Sequence, residues 1–292
     1  MDEWRLSKAV NPAAVRFPLQ MYTWPEDCQD LTTNGAKPAI IQIENVTRAF
    51  GGLRAVDDCS LEVAEGSITG LIGPNGAGKT TLFNIVTGFI KPDGGRIYFR
   101  GERIDGLAPH NVFKRGLVRT FQIPRELKSM TVLENLMIVP ANQYGEKLWY
   151  TWFTPWRVAR QEDALLEKAT EVLTFVDLLR LRDEYAANLS GGQKKLLELA
   201  RVLMCDPRMI LLDEPAAGVN RTLMRRLVED IERLRQELGI TFLVIEHDMD
   251  LVSKLCDTLI VMSEGTKLAE GLPEDVKADE RVLEAYLGGQ YR

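Results

Sequence analysis

Gly73-Pro-Asn-Gly-Ala-Gly-Lys-Thr-Thr81 matches every defined position of the phosphate-cradling P-loop, G-x-x-x-x-G-K-[ST]. Its flanks supply the strand, loop, helix order that the motif needs. Ser67-Ile-Thr-Gly-Leu-Ile72 reads as a short buried strand, and Leu82, Phe83, Ile85 and Val86 give the segment from Thr80 to Thr87 helical spacing. Gly73, Gly76 and Gly78 let the loop, with Pro74, Asn75 and Ala77 between them, turn its N–H groups inward as an anion nest. The helix start at Thr80 and Thr81 adds its partial positive charge. Lys79 brings a full charge to the β- and γ-phosphates, and Thr80 a hydroxyl for Mg²⁺. A nucleoside triphosphate site follows, but GTPases and kinases carry the same loop.

At 292 residues and 45% hydrophobic content, the chain is long enough for one large domain or two small ones with real cores. A net charge of −6 provides no basic footprint for a phosphate backbone, so nucleic acid is not an expected partner. Met1-Asp-Glu-Trp-Arg5 leads into no apolar export segment, and no apolar run approaches the ~18 residues of a spanning helix, so a soluble, unexported chain is expected. Cys28, Cys59, Cys205 and Cys256 lie far apart without a C-x-x-C pair, which argues against a zinc site and gives no reason to expect disulfides.

Residues 1–37 mix Pro12, Pro18 and Pro25 with polar and aromatic residues without periodicity, and read as an irregular extension. Beyond them, Ile40 to Val46, Leu61 to Val63 and Gly95 to Phe99 read as strands of an antiparallel edge beside the P-loop strand. Helical patterns dominate from about 107 to 206, notably Gln161 to Val176. Strands return at Met209 to Leu212, Thr241 to Ile245 and Thr258 to Met262, alternating with helices Thr222 to Leu238 and Met249 to Leu255. That alternation predicts an α/β fold with a parallel sheet and an inserted helical lobe.

Met209-Ile-Leu-Leu-Asp-Glu-Pro215 is an apolar strand ending in two carboxylates. A strand end beside the P-loop would let Asp213 hold Mg²⁺, directly or through water, and let Glu214 accept a proton from an attacking water. Taken alone, the same residues also suit a buried strand followed by a solvated acidic turn.

Leu189-Ser-Gly-Gly-Gln193 and the helix that follows it discriminate further. Physically they resemble a second phosphate site, with Ser190 as donor, Gly191 and Gly192 permitting close approach, and another helix N-terminus facing anion. A Ser-capped helix start explains Ser190 and one glycine, not the whole run. With the P-loop and the Asp213-Glu214 pair, the run resembles the signature of ATP-binding cassette (ABC) proteins, a likeness covering essentially everything from about residue 39 onward.

The resemblance implies a P-loop NTPase (RecA-like) core over about 38–118 and 205–265, with an antiparallel β subdomain. A helical subdomain over about 119–204 and a tail over 266–292 would complete it. It also implies roles for single residues. Gln122, in Thr120-Phe-Gln122, would approach Mg²⁺ and the attacking water, and His247 would contact the γ-phosphate. Phe50, beside Gly51-Gly52, would stack on adenine, with a core phenylalanine as the rival reading. Ser190, Gly191, Gly192 and Gln193 would face ATP held by the P-loop of a second ABC subunit, making a dimer on transmembrane permeases at the cytoplasmic face of a membrane, served indirectly by a substrate-binding protein.

One position departs from the family pattern: Asn220 stands where many members carry Asp, which puts symmetric coupling of the paired sites in question. The strings Ala216-Ala-Gly-Val-Asn220, Glu246-His-Asp-Met-Asp-Leu-Val252 and Leu283-Glu-Ala-Tyr-Leu-Gly-Gly289 resemble the ATPases of branched-chain amino acid importers. Lipopolysaccharide exporters and urea importers share part of that pattern, and a non-transport ABC clamp is a further alternative. Trp149, Tyr150, Trp152, Phe153 and Trp156 read as an aromatic cap packed within the helical lobe, in preference to a surface touching membrane or permease. His110 reads as a surface or capping residue.

Overall fold

The computed structural model describes residues 38–120, 126–141, 143–146, 148–218 and 221–288. Its strands are β1 (Ala39–Phe50), β2 (Leu53–Ala64), β3 (Ile68–Ile72), β4 (Gly94–Phe99), β5 (Glu102–Arg103), β6 (Leu117–Arg119), β7 (Met209–Asp213), β8 (Thr241–Ile245), β9 (Thr258–Ser263) and β10 (Thr266–Gly271). Its helices are α1 (Lys79–Val86), α2 (Pro109–Phe113), α3 (Val132–Met137), α4 (Leu148–Phe153), α5 (Pro155–Phe175), α6 (Gly191–Leu203), α7 (Arg221–Leu238), α8 (Met249–Leu255), α9 (Pro273–Ala278) and α10 (Glu280–Gly288).

Every residue of β3, β7 and β8 is buried, as strands covered on both faces must be. They lie in a six-stranded sheet of order β10-β9-β3-β8-β7-β6, parallel except for β10. Side chains alternate between two cores. Leu71, Leu211, Leu243 and Ile260 face α1 and the first strands, whereas Ile72, Ile210, Leu212 and Val244 face the later helices.

One expectation on the sheets needs correction. The β1, β2, β4 and β5 strands do not edge the P-loop sheet but form their own antiparallel sheet, β2-β1-β4-β5, packed across the α1 core. The place beside β9 is instead held by β10, a polar strand whose exposed pattern gives no alternation to read. β7, whose end carries Asp213, does not pair directly with β3. β8 pairs with both and separates them, so the Asp213 end reaches the P-loop across an intervening strand. Within the stretch expected to be helical, Leu117 to Arg119 form β6, whose three residues are too few to show a period.

Residues 1–37, Gln122 and Asn220 lie outside the described residues.

Candidate active site

The loops after β3, β7, β8 and β9 all leave the same edge of the parallel sheet, the carboxyl ends of its strands, where open α/β sheets place their ligands. They converge on an open cavity of about 670 Å³ lined by Phe50, the loop from Asn75 to Thr81, Glu214 and His247. That volume is ordinary for a small-molecule site.

The P-loop is forced into shape by its neighbours. Gly73 has φ 146°, and a β-carbon there would stand 2.1 Å from the carbonyl oxygen of Met262 on β9. Gly78, at φ 98°, would meet the Ala55 carbonyl oxygen of β2 at 2.3 Å. Gly76 is different: its φ of 82° favours glycine, but nothing lies within 4 Å of its β-carbon position, which leaves that side open. Lys79 is 6% exposed and donates through Nζ to the carbonyls of Gly73 at 2.6 Å and Pro74 at 2.9 Å. Burial pushes its ammonium below the usual value, while Glu214 and Asp213 pull it back up. Thr80, in contrast, is exposed at the cavity wall.

Asp213 ends β7 and is itself buried. Its Oδ2 accepts from Arg119 Nη2 at 2.6 Å, with both side chains 8% exposed. Arg119 ends β6, immediately before Thr120, and also donates to Asn84 Oδ1 of α1 at 2.6 Å. Glu214 takes a left-handed φ of 49°, uncommon for a side chain of its size. Its N–H donates to the Ile245 carbonyl at 3.0 Å, and its Oε1 shares a 2.8 Å hydrogen bond with His247 Nε2. Glu246, 4% exposed, accepts from the amides of Ala216 at 2.8 Å and His247 at 3.2 Å, tying together the turns after β7 and β8. Burial raises its carboxyl above the ordinary range, against the two amide bonds.

Phe50 is 46% exposed at the tip of the β1–β2 hairpin, with Arg48 5.0 Å from its ring, so it is not a core residue. Ser190 caps α6 in a capping box: its Oγ accepts from the Gln193 amide at 3.4 Å, and its own amide donates to Gln193 Oε1 at 2.9 Å. Ser190 and Gly191 are exposed and do not line the cavity. A β-carbon on Gly191 would meet nothing within 4 Å. His110 is exposed on α2, away from the cavity.

Charged residues that were not expected from the sequence also join the site. Arg54, at the start of β2, and Glu264, in the turn after β9, line the cavity from segments that carry no motif, and Arg119 was legible only as the residue before Thr120. The aromatic segment overturns its expectation outright: Trp149, Trp152, Phe153 and Trp156 are 76, 83, 63 and 65% exposed. Among the described residues α4 packs mainly against α5 and the short turn at Tyr144–Glu146, and these leave the rings uncovered.

Comparison with known proteins agrees with this geometry. Residues 56–217, more than half of the chain, match the family described as ABC transporter, and residues 266–292 match one described as branched-chain amino acid ATP-binding cassette transporter. The chain is 45% identical over 251 residues to a probable branched-chain amino acid transport ATP-binding protein, LivG, of Archaeoglobus fulgidus, covering 86% of this chain and 96% of that one. It is 40% identical over 249 residues to the high-affinity branched-chain amino acid transport ATP-binding protein LivG of Escherichia coli, covering 85% and 98%. The ADP conformation of an ATP-binding cassette of an ABC transporter superposes with a TM-score of 0.74 at 41% identity, over 86% of this chain and 100% of that one. A cavity walled by a P-loop, a strand-end glutamate and a histidine thus stands in a chain of matching sequence and fold, and the chain belongs to the ABC transporter family as a nucleotide-binding ATPase subunit.

Proposed function

We propose that this ATPase works as one half of a composite site: ATP lies against the P-loop of this chain and is closed over by Ser190, Gly191, Gly192 and Gln193 of a second ABC subunit. The observation that carries the reading is the placement of Ser190 and Gly191, exposed and outside the cavity, with a glycine whose β-carbon position meets no atom of the described residues within 4 Å. A glycine costs a helix stability relative to alanine, so one with no internal use fits close approach from outside.

Within this chain, Lys79 and the P-loop amides neutralise the phosphates, and Phe50 stacks on the base. Glu214 takes a proton from the water whose oxygen bonds to the γ-phosphorus as the bond to the β–γ bridging oxygen breaks. His247 holds the Glu214 carboxylate through its 2.8 Å hydrogen bond. The donors fit Mg²⁺, which keeps several waters and needs few protein ligands beside phosphate: Thr80 offers an exposed hydroxyl, and Asp213, engaged by Arg119, would act through water. Gln122 would complete that set. The bound ion supplies charge neutralisation across the β- and γ-phosphates.

The transported substrate is proposed to be branched-chain amino acids, supported by the match of residues 266–292 and by the names of the relatives. The ATPase would serve two permeases and a substrate-binding protein from the cytoplasmic side. Among the described residues no helix is long and apolar enough to cross a membrane, which suits peripheral attachment. Glu214→Gln is expected to retain ATP binding, lower turnover by roughly 10²-fold or more and trap a closed dimer. Unchanged turnover would remove Glu214 as the base. Cells lacking the chain should lose uptake of labelled leucine, isoleucine and valine and regain it with wild type but not with Glu214→Gln.

A further inference from the structure

The aromatic segment has no part in nucleotide chemistry, since none of its residues lines the cavity. Trp149, Trp152 and Phe153 recur at three- and four-residue spacing along α4, and Trp156 follows in the first turn of α5. Trp149 and Phe153 stack with centroids 5.7 Å apart. The segment is also held in place: Gln161 Oε1 of α5 accepts from the Tyr144 amide at 2.6 Å, and Thr154 O accepts from the Arg157 amide at 2.9 Å. Side chains exposed to 63% and beyond form a convex ridge rather than a groove.

We infer that this ridge inserts into the headgroup region of a phospholipid bilayer carrying anionic lipid. A protruding ridge needs a soft partner, and indole rings, apolar in body with one polar N–H, suit the boundary between acyl chain and headgroup. Arg157 and Arg160, both exposed, follow the ridge directly and supply positive charge for lipid phosphate, although the whole chain carries −6. Glu162 and Asp163, exposed on the next turn of α5, oppose deeper entry. α4 has six residues, far too short to span, so the contact is interfacial. The inference does not depend on which substrate is transported.

The test uses the full chain with vesicles of phosphatidylcholine, alone or mixed with phosphatidylglycerol, without permease. Partition is measured by flotation, and ring depth by quenching with acyl-chain-brominated lipid. Wild type should float with the vesicles and be quenched. The variant W149A/W152A/W156A should partition at least about tenfold less while ATP binding and melting temperature hold, because it alters only exposed positions. R157E/R160E should lose the salt-sensitive extra binding to the anionic vesicles and keep that to phosphatidylcholine. W4A/W24A, changing the chain's other two tryptophans, should bind like wild type. The inference falls if wild type does not partition, if the triple variant partitions equally, or if W4A/W24A abolishes binding. In a second arm the same vesicles carry the permease, and the inference falls too if the rings are shielded from an aqueous quencher only there, which would make the ridge a protein docking surface.

Discussion

The helix starts of α1 and α6 are both glycine-rich and both suited to phosphate, but their glycines answer to different surroundings. At α1, Gly73 and Gly78 are pinned by carbonyls of β9 and β2, so the chain's own packing dictates them. At α6, Gly191 has helical backbone and open space around it, and Ser190 is already satisfied by its capping box with Gln193. The first site is shaped from within. The second has residues that intrachain packing does not explain, which is what one half of a shared surface looks like when described alone.

Substitutions can break that contrast. Gly73→Ala should do the most damage, because a β-carbon 2.1 Å from Met262 O at φ 146° forces β9 or the loop to move. A loss of about 3 kcal/mol of stability, together with loss of nucleotide binding, is expected in thermal melts and titrations. Wild-type stability in that variant would mean the P-loop is not pinned. Gly191→Ala should leave melting temperature and ATP affinity of the isolated chain unchanged or slightly improved, while ATPase turnover of the assembled transporter drops by up to roughly 10²-fold through misplaced contacts. If turnover survives, the idea of an external use for Gly191 is wrong. Phe50→Ala should have the smallest effect, raising the Kd for ATP about fivefold through about 1 kcal/mol of lost stacking and sparing the melting temperature, as calorimetry would register.

Much of this was legible in the chain beforehand. The P-loop, the apolar strands Met209–Asp213 and Thr241–Ile245 and the helix Met249–Leu255 announce themselves because burial on both faces or at helical spacing leaves a pattern. What escaped lacks such a pattern. β6 has three residues, β10 is polar, and the order in which parallel strands pair is set by crossovers that no local periodicity records. The aromatic ridge misled for a different reason: apolar composition argues for burial, but the rings of Trp149, Trp152, Phe153 and Trp156 stand exposed. Arg54 on β2 and Glu264 in the turn after β9 reach the cavity from stretches that carry no motif, so only the fold brings them there.

The buried pair of Arg119 and Asp213 bears on inheritance. Removing one partner of such a pair typically costs several kcal/mol, because the remaining charge is stranded out of water. Neither position is therefore free to drift alone, and a lineage that changes one must change the other, or pass through a poorly folded ancestor. The same coupling warns experimenters: an Asp213→Ala chain strands a guanidinium that also braces Asn84 of α1, so its inactivity would report a loosened scaffold as readily as a lost metal ligand.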